Sequence, residues 1–220
     1  MRFSYEELLC FNSITQGPAP FGIKLKHFPG EREEVVARTQ RQLKEKMILD
    51  EGAHLTKAGG VIVRCYELYR NSHIHVILNE MKIALLANGE CIVMYPAEDG
   101  YEMISTDHAR LMAAVLQECP YIRKEEAREK GKWKGYGYDE FSAYIEENAK
   151  GSLMIGEYEG MKAVRERVFY WTEEAGYIYN LQRERQKEAA PREMRIELLK
   201  ALKLWERQEE IRQAAVAGQV

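Results

Sequence analysis

The chain has 220 residues, of which 45% are hydrophobic and 30% charged, so it is long enough to bury the core of one large or two small globular domains. Its formal net charge of −3 and pI near 6.0 argue against a nucleic-acid-binding protein, which usually has a basic face. No apolar run approaches the roughly 20 residues of a membrane-spanning helix, and the N-terminal residues lack a signal-peptide pattern. These features predict no stable membrane insertion.

The four cysteines are Cys10, Cys65, Cys91 and Cys119, which are far apart and form no C-x-x-C pair. Cysteines in a chain without a secretion signal are most simply free, mostly buried thiols in a reducing compartment. We therefore expect a cytoplasmic protein.

Three helices are predicted before the first strands. Ser4 and Glu7 form the S-x-x-E pattern of a capping box, which indicates a short helix after Ser4. A second helix is predicted to begin at Glu31, and a third to begin after a cap at Thr56. The second helix has one apolar stripe at spacings of three and four residues, formed by Val35, Val36, Thr39, Leu43 and Met47.

Residues 73–105 contain four short apolar runs that predict an antiparallel meander. Asn88-Gly89 and Asp99-Gly100 separate the later runs and are typical of type I′ hairpin turns, which need positive φ at both central residues. Side chains alternate within the runs, so we expect one covered face and one more polar face.

The second half repeats this pattern of helix, antiparallel strands and helix. Thr106 or Asp107 is predicted to cap a helix that Pro120 closes, Asp139 to cap the next, and Pro191 to begin the last. Strands are predicted over residues 152–158, 161–172 and 177–181. The predicted fold is α+β, with antiparallel meanders and helices in two pseudo-symmetric halves around a central sheet. The predicted parts are residues 1–120, a polar linker at 121–138, and residues 139–220, together forming one structural unit.

His73 and His75 lie on the same face of a predicted strand, roughly 6.5–7 Å apart along it. This spacing suits a metal, but a catalytic zinc site needs a third protein ligand, and none is evident at a suitable spacing. We favour polar residues on the wetter face of the sheet and expect no metal or cofactor. A small metal-dependent enzyme built on the two histidines stays as an alternative.

The common catalytic motifs are absent from the sequence, which has no G-x-S-x-G elbow and no glycine-rich phosphate loop. We therefore expect no enzyme. Basic and aromatic residues alternate over residues 132–138, a pattern also seen in single-strand nucleic-acid binding. Acidic neighbours favour a mobile interdomain segment instead.

The order of helix 31–48 followed by Leu55-Thr56 also resembles the end of a winged-helix unit. A winged-helix transcriptional regulator is therefore a second alternative, although only residues 50–54 are available for the two strands of a wing. It requires a basic face built from Arg32, Arg38, Arg41, Lys44, Lys46 and Lys57.

Aromatic residues are concentrated in the second half. One predicted hairpin carries Phe169, Trp171, Tyr177 and Tyr179, the last helix carries Trp205, and the interleaved cations are Arg165, Arg167 and Arg183. Aromatic residues with arginine are enriched at protein interfaces. The candidate partner-binding residues are therefore these five aromatic residues together with Arg165 and Arg167. The alternative is that the aromatic residues fill the core of the second half.

The order of the segments resembles a known family. An opening F-S-Y-E-E-L helix precedes the segment RQLKEKMIL, then LTKAGG at Leu55–Gly60, a meander and its closing helix. This order is similar to that of the EspG-like and EsaE-like (EssE-like) chaperones of type VII secretion systems, over about residues 3–182.

The resemblance implies a noncatalytic α+β protein, pseudo-symmetric about a central sheet, that holds a helical secretion substrate in the cytoplasm before export. The expected partner is a helical secreted protein or toxin, and neither nucleic acid nor a cofactor is expected. The family has no catalytic signature, so no active-site residue is carried over. The mixed surface allows a monomer or a homodimer.

Overall fold

The computed structural model describes residues 1–25, 32–126 and 131–205. Within these ranges it contains seven helices and ten strands in antiparallel pairs, which confirms the predicted α+β class. The helices are α1 (Tyr5–Thr15), α2 (Arg32–Glu45), α3 (Lys57–Asn71), α4 (His108–Glu118), α5 (Pro120–Arg123), α6 (Tyr138–Asn148) and α7 (Pro191–Ala201). The strands are β1 (Arg2–Ser4), β2 (Ile74–Leu78), β3 (Met81–Leu85), β4 (Glu90–Ala97), β5 (Gly100–Asp107), β6 (Lys134–Gly135), β7 (Gly151–Glu159), β8 (Lys162–Trp171), β9 (Gly176–Asn180) and β10 (Arg185–Glu188).

The described chain divides into two compact units. The first unit comprises Met1–His75 and Glu80–Ser105, and the second comprises Val76–Asn79 and the described residues from Thr106 onward. The predicted linker at 121–138 therefore belongs to the second unit wherever it is described. The predicted helix start at Glu31 and the C-terminal residues 206–220 lie outside the described residues.

In the first unit the strands follow the order β1-β5-β4-β3. Two of the predicted helix caps in this unit are confirmed. The Ser4 hydroxyl accepts from the Glu7 amide at 3.2 Å, and the Glu7 carboxylate accepts from the Ser4 amide at 2.7 Å. The Thr56 hydroxyl accepts from the Gly59 amide at 2.9 Å and so begins α3. These caps satisfy amides that a helix N-terminus leaves without partners.

The predicted apolar stripe of α2 is only half correct. Thr39 and Leu43 are buried, whereas the side chains of Val36 and Met47 are exposed. The helix ends at Glu45, and Met47 has a left-handed φ of 57°, which turns it away from the helical repeat.

The strands β3 and β4 do not have the predicted polar face. Consecutive residues are buried in both strands, including Ile83 and Ala84 in β3 and Ile92 and Val93 in β4. Neighbouring side chains of a strand point to opposite sides, so both faces are covered in this region. Short apolar runs are typical of strands buried on both faces, and this explains why alternation misled the prediction.

Hairpins form at both predicted sites, but the predicted type I′ turns are wrong. At the first, only Gly89 has positive φ (84°), and the Gly89 amide donates to the Leu86 carbonyl at 3.1 Å. Glycine in the left-handed position of a three-residue loop is the next most common hairpin solution. At the second, neither Asp99 nor Gly100 has positive φ. A Cβ atom on Gly100 would lie 2.0 Å from the Phe3 carbonyl oxygen, so the close approach of β1 requires this glycine.

In the second unit the strands follow the order β2-β7-β8-β9-β10-β6, of which β6 and β10 were not predicted. Gly160, with φ of 57°, turns β7 into β8 as predicted. Asp107 caps α4 as predicted, but α6 begins after Gly137 without a side-chain cap, so the predicted Asp139 cap is wrong. In α7, Met194 and Leu198 are buried as predicted, and so is Leu202 directly after it.

The sheet of β8, β9 and β10 has two faces of different chemistry. Paired residues of an antiparallel sheet project to the same side, so the register assigns each residue to a face. The aromatic face carries Val168, Tyr170, Tyr177, Tyr179 and Gln186, and the arginine face carries Arg167, Phe169, Ile178, Asn180, Arg185 and Lys187. Helix α6 packs on the aromatic face through Phe141, and α7 lies on the arginine face, where Glu193 and Glu197 bind cations of the sheet.

Candidate partner-binding site

A groove lies on the arginine face beside α7. Its central row is set by strand register, because Arg167 of β8 pairs with Asn180 of β9, which in turn pairs with Arg185 of β10. Gly135 of β6 pairs with Arg185 and ends the row without a side chain. The cavity has a volume of about 390 Å³ and is lined by Trp133, Val164, Arg165, Arg167, Asn180, Gln182, Arg183 and Arg185.

Two of the four arginines have carboxylate neighbours. Arg167 donates a hydrogen bond to Glu197 of α7. Arg165 lies 3.6 Å from Glu157 of β7 and 3.9 Å from Glu197. Burial by itself would raise the pKa of Glu197. Arg167 and Lys200 outweigh this effect through their hydrogen bonds to the carboxylate and through their positive charges, so the pKa of Glu197 lies below its usual value. Glu197 therefore stays ionised and fixes α7 to this wall of the groove.

The other two arginines are exposed and have no carboxylate partner in the described part of the chain. Arg183 lies in the hairpin loop between β9 and β10, and Arg185 is the first residue of β10. The Arg183 amide donates to the Asn180 side-chain oxygen at 2.9 Å, and Glu184 has a left-handed φ of 46°. The loop thus holds two cations at the mouth of the groove without neutralising them.

Two apolar side chains flank the arginines. Trp133 is 39% exposed, and the Lys187 ammonium lies 5.2 Å from the centre of its ring. Val164 is 45% exposed and is the extra residue of a bulge, because Arg165 pairs with Glu157 while Ala163 pairs with Tyr158. The groove therefore combines unneutralised positive charge with apolar surface.

The aromatic residues of the predicted site do not form one surface. Phe169 and Trp171 pair with Ile178 and Gly176 on the arginine face, whereas Tyr177 and Tyr179 project from the aromatic face. Alternation within each strand is evident from the sequence, but the adjacency of all four aromatic residues that we expected requires a register one residue away from the one observed.

Most of these aromatic side chains are buried or stacked on other rings. Phe169 and Tyr179 are fully buried. Trp171 stacks on Tyr121 with ring centroids 5.5 Å apart, and Tyr177 stacks on Tyr170 at 5.0 Å. Trp205 is half-buried near Lys200, whose ammonium lies 5.9 Å from its ring centre. Of the predicted site residues, only Arg165 and Arg167 line the groove.

The core of the aromatic face is a cluster of Phe141, Tyr170 and Tyr179. The Phe141 ring stacks on Tyr179 with centroids 3.7 Å apart. The Tyr179 hydroxyl donates to the Tyr136 carbonyl at 3.1 Å, and the Tyr170 hydroxyl donates to Gln186. Buried hydroxyls with partners are typical of core tyrosines.

The two histidines of the predicted strand lie in different environments. His73 is exposed, whereas His75 is 2% exposed, so its predicted place on a wetter face is wrong. Its ring stacks on Phe21 at 4.3 Å, and its Nε2 atom lies 3.0 Å from the Tyr69 carbonyl oxygen. Burial lowers the pKa of His75. Among the described residues, no group of three or more His, Cys, Asp or Glu side chains is placed to hold a metal ion.

The segment considered for a winged-helix unit contains only an isolated bridge between Leu49 and Leu55 in place of a wing. Three of the cations that such a regulator would use are paired with carboxylates. These ion pairs are Arg38 with Glu6, Lys44 with Glu51, and Lys46 with the buried Glu7.

Three of the four cysteine thiols are not activated. Cys10, Cys65 and Cys119 are free thiols, and burial raises the pKa of each. A raised pKa lowers the thiolate fraction, which is the nucleophilic form.

None of the helices in the described ranges combines the length and hydrophobicity that crossing a lipid bilayer requires.

The sequence carried a partial signal for the groove. Arg183, Arg185 and Lys187 alternate with Glu184 and Gln186, which is the period of a strand with cations on one side. No strand is predicted between residue 181 and Pro191, so this pattern was not assigned to one. Trp133 entered the predictions only within the basic and aromatic segment 132–138.

A comparison with family models matches residues 1–159 to the family described as Domain of unknown function (DUF5081). Of the groove residues, only Trp133 lies within the matched range. A search of curated proteins found no match.

Proposed function

This chain belongs to the DUF5081 family, and we propose that it is a non-enzymatic cytosolic chaperone or adaptor that binds a helical secretion substrate. The observation that carries the proposal is the open groove of the second unit, in which two unneutralised arginines lie beside Trp133 and Val164. Arginine and tryptophan are the side chains most enriched among residues that dominate protein–protein binding energy.

The chemistry of the groove favours binding over catalysis. Its lining consists of arginine, asparagine, glutamine, tryptophan and valine side chains. This lining contains no His, Cys, Ser, Lys, Asp or Glu side chain, the residue types that most often act as nucleophile or general acid–base catalyst. Such a lining orients and holds a ligand through directional donors, while the apolar side chains contribute contact area.

The size of the groove indicates how a client would bind. A helix has a diameter of about 10–12 Å with its side chains, so a cavity of about 390 Å³ accepts a few side chains rather than the whole helix. The client helix would lie across the mouth of the groove and insert side chains from one face, as in other helix-in-groove complexes.

Photo-crosslinking in cells tests this proposal. A photoreactive amino acid replaces Val164 at the groove or, as the matched control, Val61 of the first unit, which is also an exposed valine. We expect a helical protein to crosslink at position 164 and not at 61. We also expect less of that protein in the culture medium when the gene for this chain is deleted.

The proposal fails if both positions give the same crosslinks, or if export of the captured protein does not depend on this chain. Capture of DNA at position 61 or in α2 would instead support the winged-helix alternative.

A further inference from the structure

We infer that the groove recognises carboxylate side chains of an acidic helical segment in the client, an inference that rests on the proposed function. Arg183 and Arg185 are the available cations, because Arg165 and Arg167 already have carboxylate neighbours. A guanidinium binds a carboxylate through two parallel N–H bonds, the strongest side-chain arrangement available to either group.

Further donors lie in the wall of the groove. The Nε–H of Arg167 is buried and has no acceptor among the described residues. This atom is not accessible to solvent, so a client carboxylate does not reach it directly. The accessible donors of the wall are the side-chain amides of Asn180 and Gln182, which line the cavity.

The apolar residues beside the arginines favour a ligand that has apolar surface next to its negative charge. Trp133 and Val164 lie among the residues that line the same cavity as the arginines. Carboxylates at positions i and i+4 of a helix are about 6 Å apart along its axis and share a face with apolar residues at neighbouring turns. A segment with paired acidic residues and an adjacent apolar side chain therefore complements both parts of the groove.

The charge distribution favours an acidic protein over a nucleic acid. Glu157 and Glu197 border the groove, Glu184 lies between its two exposed arginines in sequence, and the chain has a net charge of −3. A long polyanion would meet these carboxylates along its path. A short acidic segment needs only the local cations, since charges more than about 8 Å away are largely screened at physiological salt.

The test uses the full chain and a pair of synthetic helical peptides. One peptide carries Glu at i and i+4 beside a leucine, and the other replaces both Glu residues by Gln. Binding is measured by anisotropy of a labelled peptide at low salt. We expect the Glu peptide to bind about tenfold or more tightly than the Gln peptide, and the difference to shrink between about 0.05 M and about 0.5 M salt.

Variants of the chain locate the site. Replacing both exposed arginines, Arg183→Gln with Arg185→Gln, should weaken binding of the Glu peptide by about tenfold or more. Gly135 faces Arg185 across the strand pair, and a Cβ atom there meets nothing within 4 Å. Gly135→Glu should therefore place a carboxylate beside Arg185, offset its charge and weaken binding of the Glu peptide. The isosteric control Gly135→Gln adds no charge and should leave this binding unchanged. Circular dichroism confirms that the variants are folded.

Equal binding of the Glu and Gln peptides, or equal effects of Gly135→Glu and Gly135→Gln, overturns the inference. So does tighter binding of a labelled single-stranded oligonucleotide of the same length, which would assign the groove to nucleic acid. The two proposals fail separately. An exported helical client that crosslinks at position 164 while the peptide pair binds equally would leave the chaperone function intact and reject only the carboxylate recognition.

Discussion

The two faces of the sheet formed by β8, β9 and β10 use the same strands for different purposes. On the aromatic face, α6 closes over Phe141, Tyr170 and Tyr179, whose rings contact one another and whose hydroxyls are satisfied internally. On the arginine face, Phe169 and Ile178 are buried, and α7 binds Arg167 and Lys187 through Glu197 and Glu193. Beside them Arg183 and Arg185 stay exposed at the groove. In this sheet, therefore, the aromatic side chains form the core of one face, whereas the open groove on the other face is lined by cations.

The largest effect is expected from the aromatic face. Phe141→Ala should lower the free energy of unfolding by about 3–5 kcal/mol, because it removes a buried ring stacked on Tyr179 and leaves a cavity. Urea denaturation followed by circular dichroism measures the change. The matched control is Tyr138→Ala, which removes a 53% exposed ring from the same helix and should cost about 0.5 kcal/mol or less. Similar losses for the two variants would contradict a core role for this face.

An intermediate effect is expected where α7 meets the arginine face. Glu197→Gln should lower the free energy of unfolding at neutral pH by about 2 kcal/mol, because the half-buried Arg167 loses its ionised partner. Urea denaturation at several pH values measures it.

The pH dependence gives this prediction its sign. The pKa of Glu197 is lowered in the folded chain, so its contribution is present above the ordinary value of 4.5 and is lost as the pH falls through the lower folded value. The stability difference between wild type and Glu197→Gln should therefore shrink below that pH. A difference that stays constant down to about pH 3 would show that the carboxylate charge is not responsible.

A smaller effect is expected from the hydroxyl of Tyr170. Tyr170→Phe should lower the free energy of unfolding by about 1 kcal/mol, since Gln186 loses a hydrogen-bond donor while the ring packing is kept. Burial raises the pKa of Tyr170, so the wild type should lose stability above about pH 10 as unfolding releases this proton. The variant should lose less over the same range in denaturation curves, and an identical loss would exclude Tyr170 as the group responsible.

The smallest effect on stability is expected from the two exposed arginines. Arg183→Ala with Arg185→Ala should change the free energy of unfolding by about 0.5 kcal/mol or less, because neither side chain has a carboxylate partner in the described residues. Thermal unfolding of the double variant checks this. A large loss would mean that these arginines stabilise the fold, and it would weaken the case that they are held for a ligand.

Much of the fold was predictable because its signals are local. The capping box at Ser4 and Glu7, the Thr56 cap and the turn at Gly160 depend on residues within a few positions of one another. The short strands β1, β6 and β10 were missed because three, two and four residues carry too little periodicity to identify a strand. They exist because a neighbouring strand offers them hydrogen bonds.

The candidate site was less predictable because it depends on pairing between strands, which local sequence signals do not specify. Arg165, Arg167 and Phe169 lie two residues apart in β8, and alternation within one strand is enough to place them on the same face. It did not fix which residues of β9 lie beside them, and a shift of one residue moves every tyrosine to the other face. For Tyr179, the sequence left a partner surface and the core as alternatives, and the residue is buried.

The sequence by itself determined the α+β class, most helix caps and the positions of the main hairpins, because these depend on short-range backbone chemistry. Tertiary structure alone decided which strand faces are covered, which arginines keep a carboxylate and which remain open. Those outcomes depend on strand register and helix packing, which join residues far apart in the chain, such as Trp133, Arg167 and Arg185 in a single groove.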